Sequence, residues 1–168
     1  PFGDYVYTDI LQPQLAGVPL LIPLAWWMLL PSSWVMAQLI VGKNRQSWQK
    51  HILFIGVSAT ALTAWDLFLD PQMVARDFWV WANPEGYFGI PWLNYAGWLL
   101  VASIVTLLVN PPRLNIMPLA LIYGLVWFLQ SIGQGIFWGQ PGPALVGFFA
   151  MGGIMLLAYI RHSKRQTA

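Results

Sequence analysis

The sequence predicts an all-α fold: a polytopic membrane helix bundle of five transmembrane helices with one short interfacial helix. Three observations lead there. Hydrophobic residues make up 58% of the 168 residues and charged residues only 8%, so a water-soluble domain of 18.9 kDa would leave much apolar surface exposed. Apolar runs of about 20 residues, enough to cross a ~30 Å hydrocarbon core, occur five times. Lysine and arginine gather in alternate connections, as they do in multi-pass membrane proteins.

The elements follow in order. The chain opens at Pro1 with PFGDYVY and shows no charged-then-apolar signal pattern, so a processed start or a preceding segment is expected. The first span, 15–40, contains Pro19, Pro23 and Pro31; membrane helices tolerate proline where neighbours satisfy the freed carbonyls, and a kink is expected near Pro31. The remaining spans are 51–70, 91–109, 116–137 and 143–161. Only the connection 71–90 is long, and no linker divides the chain, which reads as a single membrane domain. Gly17-Val18-Pro19 with Trp26 echoes Gly89-Ile90-Pro91 with Trp98 at equal spacing; the echo does not extend and is read as chance.

Charge sets the orientation. Lys43, Arg45, Lys50, Arg113, Arg161, Lys164 and Arg165 fall on one side of five spans, which the positive-inside rule makes cytoplasmic. Arg76 lies opposite, with Asp4, Asp9, Asp70, Asp77 and Glu85. The expectation is a multi-pass protein of the cell inner membrane, with a cytoplasmic C-terminus and residues 71–90 on the outer face. The pI of 9.2 is then an orientation signal and not a nucleic-acid footprint. With no cysteine, and with only His51 and His162 to offer imidazole, the chain suits neither a di-iron desaturase nor a chlorophyll antenna; it points to chemistry that requires no metal or cofactor.

Two acids stand out in TAWDLFLDPQM, residues 63–73. Asp70 precedes Pro71, the pattern of an N-cap followed by proline at the first helical position, so a short interfacial helix is expected over 71–81. Asp66 lies one turn deeper, where an acid costs up to ~3 kcal/mol and faces a polar cavity or a partner. It is read as functional, with a hydrogen bond to a neighbouring helix as the structural alternative. Asn94 begins the third span at the same level. Tyr123, Trp127, Gln130, Gln134 and Trp138 form one stripe on the fourth, serving either a ligand or helix packing. Ala59, Leu62, Thr63, Asp66 and Asp70 share a face of the second span whose small and polar upper part leaves room for a ligand. The outer aromatics Phe78, Trp79, Trp81, Tyr87, Phe88, Trp92 and Tyr95 read mostly as an interfacial belt. Gly147, Met151, Gly152 and Gly153 offer a close-approach surface on which helices of a partner subunit would dock if the protein is an accessory subunit.

PFGxYxY at 1–7, Thr63-Ala64-Trp65-Asp66-Leu67, Asp70-Pro71-Gln72-Met73, the Trp-x-Trp at 79–81 and GYFGIP with Asn94 and Gly97-Trp98 resemble the bacterial and archaeal integral-membrane carotenoid biosynthesis proteins. That family includes carotenoid 1,2-hydratases, among them those of the bacterioruberin pathway. Its members usually carry further helices before the PFG motif, and Asp77 and Leu93 depart from the family pattern. The resemblance implies a carotenoid as substrate or bound pigment. Hydration of its terminal alkene begins with a proton delivered to carbon by a carboxylic acid, for which Asp66 is the candidate. Asp70 would orient water or serve as a cap. Trp65, Tyr87, Tyr95 and Trp98 would stabilise the cation, and Asn94, Trp127, Gln130 and Gln134 complete the binding candidates. The alternative is a non-catalytic, pigment-associated subunit of a photosynthetic reaction-centre and light-harvesting complex.

Overall fold

The computed structural model describes residues 3–42 and 47–167. Pro1 and Phe2 of the opening motif, and Lys43 and Arg45 of the first connection, lie outside them. The fold is an all-α polytopic bundle. Its helices are α1 Leu21–Val41, α2 Trp48–Val74, α3 Trp92–Val109, α4 Ile116–Ile132 and α5 Pro141–Gln166, and a π-helical turn, Gly133–Phe137, extends α4. Among the described residues five helices are long and apolar enough to cross a membrane. Two small antiparallel ribbons sit at one end: β1 Tyr5–Tyr7 with β4 Trp79–Trp81, and β2 Gln14–Leu15 with β3 Val18–Pro19.

Two expected elements are corrected. The first span does not begin at residue 15, because Ala16 and Gly17 both take positive φ and turn the chain into the β2–β3 hairpin. Pro19 thus sits in a strand and Pro23 in the first turn of α1, where its missing N–H leaves no bond unmade. Pro31 alone interrupts α1. The interfacial helix over 71–81 is absent as well. Helix α2 runs through Asp70-Pro71 to Val74, Asp77 turns the chain at φ 55°, and residues 79–81 form β4. Asp70 is therefore an interior helical residue and not an N-cap. Pro71 deprives the Leu67 carbonyl of its helical donor, and the Tyr87 hydroxyl supplies one at 3.1 Å. Gln134 Nε2 donates to the next carbonyl, Phe68, at 2.7 Å. Side chains from other segments thus carry the helix past its proline.

Helix α2 packs against α1, α3 and α5, while α4 packs against α1 and α5. Helices α1 and α3 flank α2 in register. Trp26 stacks on Trp98 at 4.6 Å, and two turns further on the Trp34 indole donates to the Thr106 hydroxyl at 2.8 Å, which meets Ser58 of α2 at 3.2 Å. The two tryptophans of the sequence echo are therefore partners in space. At the other end of the bundle Arg165 of α5 donates to the Leu39 and Ile40 carbonyls of α1. The small residues of α5 mostly serve packing within the bundle and not an outer docking surface. A Cβ on Gly147 would meet Phe68, one on Gly152 would meet Trp127, and Met151 is fully buried; only Gly153 has open space.

Candidate functional site

A spacing of four places Asp66 and Asp70 on one face of α2, one turn apart. Helix α3 sets Asn94 against both. Its Nδ2 donates to Oδ2 of Asp66 at 3.1 Å and also to Oδ2 of Asp70, so a single amide bridges two carboxyl groups. Asp66 is 0% exposed and Asp70 3%. Oδ1 of Asp66 has no hydrogen-bond partner among the described residues.

Beside this pair lies a cavity of about 430 Å³. Leu21, Ile22, Ala25 and Trp26 of α1 form one wall, Trp98 and Val101 of α3 another, and Leu69 and Met73 of α2 the floor. Tyr5 and Tyr7 of β1, Trp79 and Trp81 of β4, and Phe78 just before β4 cover it. The lining is mostly apolar and aromatic, a composition that suits an isoprenoid chain. Asp70 and Asn94 face the cavity; Asp66 does not, and lies a turn away from it along α2. The indole N–H of Trp79 is a further donor to Asp70.

The structure sorts the remaining sequence candidates. Trp98 lines the cavity, and Trp65 packs edge-on against it at 5.9 Å from outside the lining. Tyr87 and Tyr95 pack against each other at 5.5 Å, away from the cavity lining, with the Tyr87 hydroxyl committed to the Leu67 carbonyl. Burial, followed by the charge of Asp66, pushes the ionisation of Tyr87 above the ordinary tyrosine range. Trp127, Gln130 and Gln134 do not join the acids. Trp127 donates to the Phe148 carbonyl of α5, and Gln134, within 3.2 Å of Gln130, reaches Phe68. Phe68 is two residues from each aspartate, about 200° around a helix of 100° per residue, so these glutamines serve the opposite face of α2.

Sequence reasoning missed Tyr5, Tyr7, Trp26, Trp79 and Trp81 as lining residues. The signal was the alternation Tyr-x-Tyr and Trp-x-Trp, whose period of two places each pair on one side of a strand.

The family described as "Carotenoid biosynthesis protein" matches residues 1–151. Bisanhydrobacterioruberin hydratase of Haloarcula japonica is 37% identical over 109 residues, which cover 64% of this chain and 36% of that protein. The alignment thus spans little more than a third of the relative's length. No solved structure matches the chain. Neither the family description nor the relative's name points to a photosynthetic assembly. A match across most of the chain, joined to five membrane-length helices, shows that this chain belongs to the carotenoid biosynthesis protein family.

Proposed function

We propose that the protein binds the acyclic end of a carotenoid in the cavity and adds water across its terminal trisubstituted double bond. The observation that carries this reading is the Asp70 carboxyl, held by Asn94 on the wall of a cavity that is otherwise largely apolar and aromatic. The carboxyl proton passes to the CH carbon of the alkene, whose π pair forms the new C–H bond and leaves a tertiary cation on the neighbouring carbon. The faces of Trp26, Trp98 and Trp79 stabilise that cation. Water then forms the C–O bond and its proton returns to the carboxylate, so alkene plus water gives a tertiary alcohol with no change of oxidation state. Asp66 acts through Asn94 and not on the substrate, which reverses the order of the two acids expected from sequence. The Haloarcula relative, a hydratase by name, supports the same reaction class.

A polyene roughly as long as the ~30 Å hydrocarbon core cannot fit a cavity of about 430 Å³. Only its end group enters. The remainder leaves the cavity past Leu21, which both lines it and is exposed, and reaches the lipid beside the exposed Leu24.

The natural full-length protein, given lycopene or bisanhydrobacterioruberin in H₂¹⁸O, is expected to form a tertiary alcohol carrying ¹⁸O. Oxygen drawn from O₂ would replace hydration by hydroxylation, and retention of unaltered carotenoid would reduce the protein to a pigment binder.

The same reading places the acids and the ribbon at the outer surface of the inner membrane. Ser47→Cys is then expected to resist an impermeant thiol reagent in intact cells and to react once the cytoplasmic face is opened. Labelling in intact cells would invert the topology.

A further inference from the structure

Hydration needs more than an acid and a wall that tolerates a cation. A tertiary carbocation loses a proton from a neighbouring carbon whenever no nucleophile is in place, and the alkene is then recovered, with or without a shifted double bond. Success therefore depends on a water already held beside the cationic carbon. In an apolar cavity such a water needs two or more polar partners.

Among the described residues the cavity lining offers two hydroxyl groups, those of Tyr5 and Tyr7. The strand period explains why they share the lining: Tyr5 and Tyr7 of β1 point to one side while Val6 between them is 67% exposed. The register then fixes them over the acid. Tyr7 pairs with Trp79 and packs edge-on against it at 5.7 Å, and Trp79 is a donor to Asp70. The Tyr5 and Tyr7 hydroxyls lie 3.2 Å apart. Both tyrosines are half-buried, whereas Asp70 is 3% exposed.

We infer that Tyr7, oriented by Tyr5, holds the water that attacks the cation, so that the β1–β4 ribbon is the water side of the cavity and its Leu21 edge the lipid side. The inference rests on the hydration reading above. A neutral phenol suits the task because it donates and accepts, whereas a carboxylate only accepts. Burial, the Tyr5 hydroxyl and the charge of Asp70 push the ionisation of Tyr7 above the ordinary tyrosine range, which keeps it in that form. Once Asp70 has delivered its proton, its carboxylate and the Tyr7 oxygen become two acceptors for one water, and the lone pair left free is directed at the cationic carbon. Tyr5 is a positioning residue for the Tyr7 hydroxyl and does not touch the water.

The test is the full-length Tyr7→Phe variant turning over lycopene or bisanhydrobacterioruberin in D₂O, beside the wild type. Phenylalanine keeps the ring against Trp79 and removes only the hydroxyl. The expected result is alcohol formation reduced about tenfold or more, the scale set by one lost hydrogen bond to a reacting group, while deuterium appears in the recovered alkene or in a double-bond isomer. Protonation would then continue without water capture, and the deuterated alkene would itself show that the variant is folded and binds carotenoid. Tyr5→Phe is expected to shift the partition in the same direction to a smaller extent. Alcohol at the wild-type rate in Tyr7→Phe would overturn the inference. Loss of both alcohol and deuterium would also overturn it, because the tyrosine would then serve the proton step. A wild type that forms no alcohol from either carotenoid would instead remove the hydration reading on which the inference stands.

Discussion

Asp70→Asn is expected to lower hydration of an acyclic carotenoid by roughly 100- to 10,000-fold, the range that proton transfer by a positioned side chain contributes. Asparagine has nearly the shape of aspartate, and its carbonyl oxygen can accept the bond that Asn94 donates at this position. What it lacks is a proton to deliver to carbon. Carotenoid binding should therefore persist, and no deuterium should enter the recovered alkene, which separates this variant from Tyr7→Phe. Asp66→Asn is expected to be milder, about tenfold, because Asp66 does not line the cavity and its link to the reaction passes through one hydrogen bond from Asn94. The measurement is turnover of lycopene or bisanhydrobacterioruberin by the full-length variants, with bound carotenoid assayed in parallel. Equal losses in the two variants would show the carboxyl pair acting as one acid, and a loss confined to Asp66→Asn would return the proton to the deeper residue.

The five spans were legible in the sequence because lipid imposes a length and a polarity that few other environments demand. Their ends were not, and each error has a local cause. Asp70-Pro71 carries every sign of a helix start, yet the helix continues because Tyr87 and Gln134, 16 and 63 residues away from Pro71, bring donors to the carbonyls before it. No pattern local to the proline reveals partners at that distance. The same holds for the ribbon that covers the cavity: the Tyr-x-Tyr and Trp-x-Trp alternations stand in the sequence, but nothing local to either shows that Tyr5 and Trp81 pair across most of the first half of the chain. The acids themselves were legible, since a carboxyl within an apolar span is costly. Their access to the cavity was not. Depth in the sequence pointed to Asp66, whereas access to the cavity belongs to Asp70, and access depends on where the ribbon and α1 lie. The stacked pair Trp26 and Trp98 teaches the converse lesson, that a spacing too short to establish a repeat can still mark two helices laid in register on a third.

Gly147→Ala is expected to destabilise the bundle by ~1–3 kcal/mol, the usual cost of forcing a methyl group into a packed core. A Cβ built on Gly147 lies 2.6–2.7 Å from three carbons of the Phe68 ring, closer than side-chain carbons approach one another. Phe68 is 0% exposed, and its carbonyl is engaged by Gln134. With the ring fully buried, the clash is expected to be relieved by a retreat of α5 or a rotation of α2. Rotation matters most for the site, because Phe68 lies between Asp66 and Asp70 on the helix that presents them. The midpoint of thermal unfolding in detergent should fall, and hydration should fall further than the lost folded fraction explains. Gly153→Ala supplies the control: it lies on the same helix with nothing within 4 Å, and should lower neither quantity. An unaltered midpoint in Gly147→Ala would mean that α2 and α5 do not meet at this contact, and that something other than the close approach of Gly147 fixes the orientation of the two acids.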